Sequence, residues 1–339
     1  MNNFTPRPRG VDLVDVHQHL LPAWYVSRLG ERGMTTIGGR SLAEPALQWS
    51  PERALDHMTR CNIDISVLSY TDPGASIGDR DFAVRLARDC NEYLARLVHD
   101  HPTRFGAFAV LPLPHVHESI QELNYAIDTL GLDGVVLLTN YQGRYLGDAG
   151  YEPLFAELSR RKLPTFVHPA LPHYELPLPY YPWIMEFVFD TTRAAVHMIY
   201  SGTLDRHPNI PIILSHGGGT LPFLSFRIKA GQVIPNLKLN RDVIEYLKDY
   251  YYDTTFAASP WSMASLTKLV DPSHLLFGSD FPFGPQWVTE LSVEDLASTE
   301  GLNDHDIGMI RRHGALKLFP RLCQRLVEPS EHDSKSTAV

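Results

Sequence analysis

The sequence predicts an α/β fold, a distorted (β/α)8 TIM barrel with a lid inserted after its first strand, and three observations carry that prediction. Apolar runs recur too far apart for hairpins, at 13–19, 63–70, 105–111, 134–138, 165–168, 210–216, 250–255 and 275–280. Helical patterns lie between most of them, and strands alternating with helices imply a parallel sheet covered on both faces. Strongly polar residues fall at the ends of several runs, and in a barrel such ends converge on one mouth.

Taken in order, the first run, Val11-Asp12-Leu13-Val14-Asp15-Val16, closes in His17-Gln18-His19. Side chains two apart leave a strand on the same face. Both imidazoles therefore enter one space as half of a divalent metal site, and zinc takes such nitrogen ligands. Residues 20–50, rich in Gly and Pro and weak in periodicity, follow as the lid. Helical patterns stand at 51–61, 79–101, 117–130, 151–161, 191–206 and 261–269, and 304–319 reads as a closing helix. A second HxH, His115-Val116-His117, sits after the Pro-rich turn Leu111-Pro112-Leu113-Pro114 and opens a helix, so it reads as structural. The fifth run ends in Phe166-Val167-His168-Pro169. A long loop follows to Trp183, carrying Pro172, Pro177, Pro179 and Pro182, and loops of that kind shape active sites. The sixth run ends in His216 before Gly217-Gly218-Gly219, a flexible stretch expected to let a substrate approach the backbone. The eighth ends in Asp280, within Gly278-Ser279-Asp280-Phe281-Pro282.

Each of these polar residues taken singly reads as a packed or turn-capping group. Together they read as a site. Three imidazoles (His17, His19, His168) and the Asp280 carboxylate leave an open coordination position, as a catalytic metal needs. His216 is the candidate for moving protons, a task that imidazoles as a class suit.

The 339 residues are ample for one large core. No boundary or repeat divides residues 1–327, which are expected to form a single barrel domain, and the polar tail 328–339 is expected to be disordered. A formal charge of -9 without a basic block argues against nucleic acid. No apolar run is long enough for a membrane span. Cys61, Cys90 and Cys323 are scattered and odd in number, and Met1 to Gly10 lacks the apolar core of a signal peptide. Both point to a reducing, cytoplasmic location.

In order and spacing, HxH, FVHP, SHGGGTLPFLSFRI and GSDFPF resemble the amidohydrolase superfamily, and within it the decarboxylase branch around aminocarboxymuconate-semialdehyde decarboxylase. The resemblance runs from about Val14 to Phe319. It implies that His17, His19, His168 and Asp280 bind one metal, zinc by the nitrogen-rich ligand set with manganese as the alternative, and that His216 acts in acid-base chemistry. It also implies that Arg227 reaches into a neighbouring subunit's site to hold a carboxylate, hence a homodimer, and that Trp183 and Phe283 line the substrate pocket. A lid arginine of the family has no clear counterpart before Gln48-Trp49-Ser50-Pro51, where Arg40 stands nearest, so a substrate with a single carboxylate is expected. Strand four ends in Val135-Val136-Leu137-Leu138-Thr139-Asn140 without the lysine that bridges two metals in binuclear relatives, so one metal is expected.

Tyr251-Tyr252-Asp253-Thr254, Ser259-Pro260-Trp261 and the run 271–283 are most similar to salicylate-type enzymes. The resulting expectation is a metal-dependent, non-oxidative decarboxylase of an aromatic hydroxy acid such as 6-methylsalicylate, with His216 or Asp280 protonating the ring carbon. A metal-dependent hydrolase of a lactone or amide and a non-enzymatic metal-binding barrel are the rival readings.

Overall fold

In the computed structural model, which describes residues 11–172, 179–235, 237 and 239–327, the strands in chain order are β1 Val14–His19, β2 Thr36–Ile37, β3 Arg40–Ser41, β4 Ile65–Ser69, β5 Phe105–Val110, β6 Gly134–Leu138, β7 Asn140–Tyr141, β8 Arg144–Tyr145, β9 Thr165–His168, β10 Ile212–Leu214, β11 Tyr251–Asp253 and β12 Leu275–Leu276. Eight of them form one parallel sheet in the order β1-β4-β5-β6-β9-β10-β11-β12. The segment after β12 returns to β1 through Val16 N–H to the Phe277 carbonyl (2.9 Å), Asp280 N–H to the His17 carbonyl (2.8 Å) and His19 N–H to the Phe281 carbonyl (2.7 Å). Those bonds close the barrel. The eight barrel strands are buried almost throughout, as parallel sheets require, because helices cover the outside and side chains fill the inside.

Local sequence explains where the helices start. Ser50 caps Pro51–Arg60, Asp79 caps Arg80–Asp100 and Ser259 caps Pro260–Leu269, each accepting a backbone N–H of the first turn. The floor of the barrel is aromatic: Phe108 stacks on Phe166 at 5.3 Å and meets Phe319, from the closing helical segment, at 5.5 Å.

Several boundaries differ from those expected. The pattern at 191–206 forms two helices, Glu186–Tyr200 and Thr203–Arg206, separated where Gly202 turns left-handed. The run 275–280 is a strand only at Leu275–Leu276, because its end bends away to aim Asp280, at φ +60°, into the mouth. The helix at 117–130 is α-helical only over Val116–Asn124 and then widens into a π-turn, Tyr125–Thr129. Helices Leu221–Ala230 and Gln286–Ala297 escape the periodicity argument because each carries exposed aromatics, Phe223, Phe226 and Trp287, that blur its apolar stripe. Residues 20–50 contain the helix Ala23–Gly30 and the β2–β3 hairpin. The expected tail 328–339 lies outside the described residues, as do Pro177 and the rest of 173–178 in the long loop.

Asp15 fixes the closure. Fully buried, it accepts hydrogen bonds from Ser279 Oγ (2.6 Å), Ser279 N–H (3.0 Å) and His17 N–H (3.0 Å), tying β1 to the strand end that carries Asp280. Burial pushes its carboxyl up to about 7, although those bonds pull the other way. Replacing it leaves three buried donors unpaired. Asp15→Ala should therefore lose about 2–4 kcal/mol of unfolding free energy in urea titration, with Asp15→Asn recovering part of it.

Candidate active site

Four buried side chains meet at the C-terminal rim of the barrel. His17 and His19 end β1, His168 ends β9, and Asp280 stands in the turn after β12; one ligand atom from each lies within 4.8 Å of all the others. The Nε2 atoms of His17 and His19 are 3.0 Å apart, and Asp280 Oδ1 is 3.4 Å and 3.2 Å from them. Two imidazole nitrogens and a carboxylate oxygen at such distances, out of water, draw positive charge among them, as a proton or as a metal ion. A single divalent ion fits this donor set.

The outer nitrogens explain why the inner ones converge. His17 Nδ1 bonds Asp253 Oδ2 at 2.7 Å, His19 Nδ1 faces the Ser69 carbonyl at 3.2 Å and its hydroxyl at 3.1 Å, and His168 Nδ1 meets the Pro169 carbonyl at 2.8 Å. An acceptor at Nδ1 keeps the proton there and leaves Nε2 free to ligate. Burial opposes charge on His17, but Asp253 and then Asp280 outweigh it and lift the ring to about 10. His19 and His168 are held below the usual histidine range, chiefly by burial. Burial also works against ionised Asp280, yet the neighbouring imidazoles hold it well below the usual carboxylate range. The positive charge that Asp253 and Asp280 draw onto His17 marks the place that a bound cation would take.

Asp253, to which the sequence reading gave no role, is the hinge of this arrangement. While Oδ2 holds His17, Oδ1 accepts the backbone N–H of His216 at 2.8 Å and of Thr255 at 3.0 Å. One carboxylate thereby places both a metal-site imidazole and the candidate proton carrier. Its position as the last residue of a barrel strand was the available signal.

Above the cluster opens a cavity of about 400 Å³. His168, His216 and Asp280 form its polar base, with Trp183 and Phe283 on its walls. Phe283 packs edge-on to His19 at 5.6 Å, and His216 Nε2 lies 3.8 Å from Asp280 Oδ2. Ile37, Ile184, Phe187, Val188 and Phe256, which sequence reasoning did not single out, make most of the remaining wall apolar. Arg40, on β3, also reaches the cavity, but Glu44 Oε2 at 2.8 Å and the Phe283 carbonyl at 3.0 Å already engage its guanidinium. Arg227 lies on the exposed face of Leu221–Ala230, outside this cavity of its own chain. His117 is exposed and bonds Gln121 on its own helix at 3.1 Å, away from the cluster.

Gly217-Gly218-Gly219 does not serve as an open substrate approach. All three glycines have positive φ, and a Cβ would fall 2.8 Å from the Ala257 Cβ, 2.4 Å from the Tyr252 ring and 2.1 Å from the Val188 carbonyl, respectively. Close packing between strand, loop and helix demands them.

Comparison with known proteins adds the following. A family model described as amidohydrolase matches residues 14–321. The chain is 36% identical to decarboxylase yanB of Aspergillus niger, covering 92% of this chain and 88% of the relative. It is 33% identical to the 6-methylsalicylic acid decarboxylase acuB of Aspergillus aculeatus, over 91% and 96% of the two chains. The crystal structure of 5-carboxyvanillate decarboxylase from Sphingomonas paucimobilis superposes with a TM-score of 0.83 at 21% identity, over 92% of this chain and 99% of that one.

Removing the carboxylate behind His17 tests the geometry directly. Asp253→Ala should weaken divalent-metal affinity about 10–100-fold in a chelator competition assay, while Asp253→Asn, which keeps an oxygen for the backbone N–H of His216, should lose less.

Proposed function

The chain belongs to the amidohydrolase family, and from that premise we propose that it is a metal-dependent, non-oxidative decarboxylase of an aromatic hydroxy acid of the salicylate type, with 6-methylsalicylate as the representative substrate. The observation that carries this reading is the buried His17, His19, His168 and Asp280 cluster at the base of an apolar cavity, with His216 beside it.

Loss of CO2 without an organic cofactor is eased by prior protonation at the carbon that bears the carboxylate, because simple cleavage would leave an unstable ring carbanion. As the C–C bond then breaks, its electron pair returns to the ring and aromaticity is restored. A bound ion would supply a fixed positive charge for the carboxylate end of such a substrate. His17, His19, His168 and Asp280 hold that ion; zinc suits their nitrogen-rich set, and manganese is the alternative that the carboxylate admits. His216, at the cavity wall, delivers the proton, with Asp280 Oδ2 near enough to take part through a water. Trp183 and Phe283 confine the ring. The Leu20 to Ser50 segment, which contributes Ile37, Gly38 and Arg40 to the cavity, acts as its lid within a single domain. Pairing of Arg40 with Glu44 leaves no unengaged cationic side chain on the cavity among the described residues for a second carboxylate, which supports a monoacidic substrate.

A homodimer completes the site in this reading. Arg227 projects from a helix whose neighbouring residues Phe223 and Phe226 are 86% and 81% exposed, a face suited to pairing with a second copy. No helix among the described residues is long and apolar enough to cross a membrane, and the free, largely buried cysteines fit a cytoplasmic location.

Incubation of the metal-loaded protein with a panel of hydroxybenzoates should release CO2 stoichiometrically with the decarboxylated phenol. Hydrolysis of a lactone or amide without CO2 would decide for the rival reading. His168→Ala should strip the ion in metal analysis and abolish turnover, whereas His216→Ala should retain the ion and lower turnover about 10²–10⁴-fold. Mixing Arg227→Ala with His168→Ala chains should restore part of the activity through hybrid dimers; no recovery would place Arg227 outside the neighbouring site.

A further inference from the structure

Among the described residues, six other than glycine have positive φ: Asn62, Gln142, Lys162, His216, Phe256 and Asp280. Lys162 caps a helix, and Asn62 and Gln142 stand, like Phe256, in turns, but away from the cavity above the metal cluster. The other three all line the cavity above the metal cluster. Left-handed backbone is unfavourable for a bulky aromatic, and strain of this kind gathers at functional sites. His216 and Asp280 have their roles. Phe256, at φ +51°, has none yet.

Burial does not explain it, because Phe256 is 40% exposed at the cavity wall and contributes little to the core. The surrounding loop nevertheless fixes its backbone: Thr255 N–H bonds Asp253 Oδ1 at 3.0 Å, and the N–H groups of Ala257 and Ala258 both reach the Thr254 carbonyl at 2.9 Å. Held this way, the ring stands near two others, its plane within 30° of each. Its centroid is 6.2 Å from His216 at 28° and 5.8 Å from Trp183 at 29°. The His216 ring also meets the edges of His17 at 5.0 Å and His168 at 5.8 Å, so Phe256 is the neighbour that parallels its face. The Nδ1 of His216 is buried without a hydrogen-bond partner among the described residues, and its Nε2 is too far from Asp280 for a direct hydrogen bond.

We propose that Phe256 is a substrate-positioning residue, whose ring continues the Trp183 face toward His216 as an aromatic wall on which the ring of the substrate stacks. This inference rests on the aromatic-acid decarboxylase reading and deepens it by naming the surface that selects a planar ring.

The test separates binding from turnover. Calorimetric titration of 6-methylsalicylate into metal-loaded protein should show Kd raised about five- to tenfold in both Phe256→Ala and Phe256→Leu and changed less than about twofold in Phe256→Tyr, which keeps the stacking face. KM should rise by the same factor with a smaller fall in kcat. Leucine binding as well as phenylalanine, or tyrosine failing as alanine does, would overturn the wall while leaving the decarboxylase reading intact. Wild-type protein that neither binds aromatic acids nor releases CO2 would defeat that reading, and the wall with it.

Discussion

Lone pairs that face one another in a dry place need a positive charge between them, and the mouth of this barrel is built around that constraint. His17, His19 and His168 present nitrogens and Asp280 an oxygen to a single buried point. Outward hydrogen bonds to Asp253, Ser69 and the Pro169 carbonyl fix which nitrogen of each ring turns inward. Without those acceptors the same imidazoles could satisfy themselves in other tautomers and orientations. The metal centre is thus a property of two layers, and the second layer decides what the first can bind.

Two carboxylates bind this arrangement to the scaffold. Asp15 staples β1 to Ser279, the residue before Asp280, and Asp253 spans His17 and the backbone of His216. Both are fully buried at a place where four strand ends must agree in position. The regular ladder alone cannot aim every side chain, since a strand ends by pointing alternate residues in or out. Left-handed backbone at His216 and Asp280 provides the extra turn, and close-packed glycines at 217–219 give the adjoining chain its path.

The cavity above combines one polar base with mostly apolar walls. That division suits a flat ring that carries its carboxylate and hydroxyl on one edge and little polarity on the other. Arg40, the cation nearest to hand, is already engaged by Glu44. Decarboxylation in such a site needs a carbon protonated in a fixed place rather than an activated water, and the role proposed for His216 follows from its place beside Asp280 on the cavity lining.

What the sequence determined by itself was periodic or punctual. Eight apolar runs spaced by helical patterns specified the barrel, and the strand-end positions of His17, His19, His168, His216 and Asp280 specified the polar mouth, because alternation along a strand and convergence of strand ends follow from backbone geometry alone. Short-range chemistry of the caps at Ser50 and Asp79 was equally local. The tertiary structure alone decided the partners: Asp253 lies 236 positions from the imidazole it orients, and Asp15 lies 264 from Ser279. It also turned Phe256 into the cavity and closed the glycine run against Tyr252 and Val188. Pairings of that kind depend on which elements the closed barrel brings side by side, and no pattern within one segment encodes the distance to another.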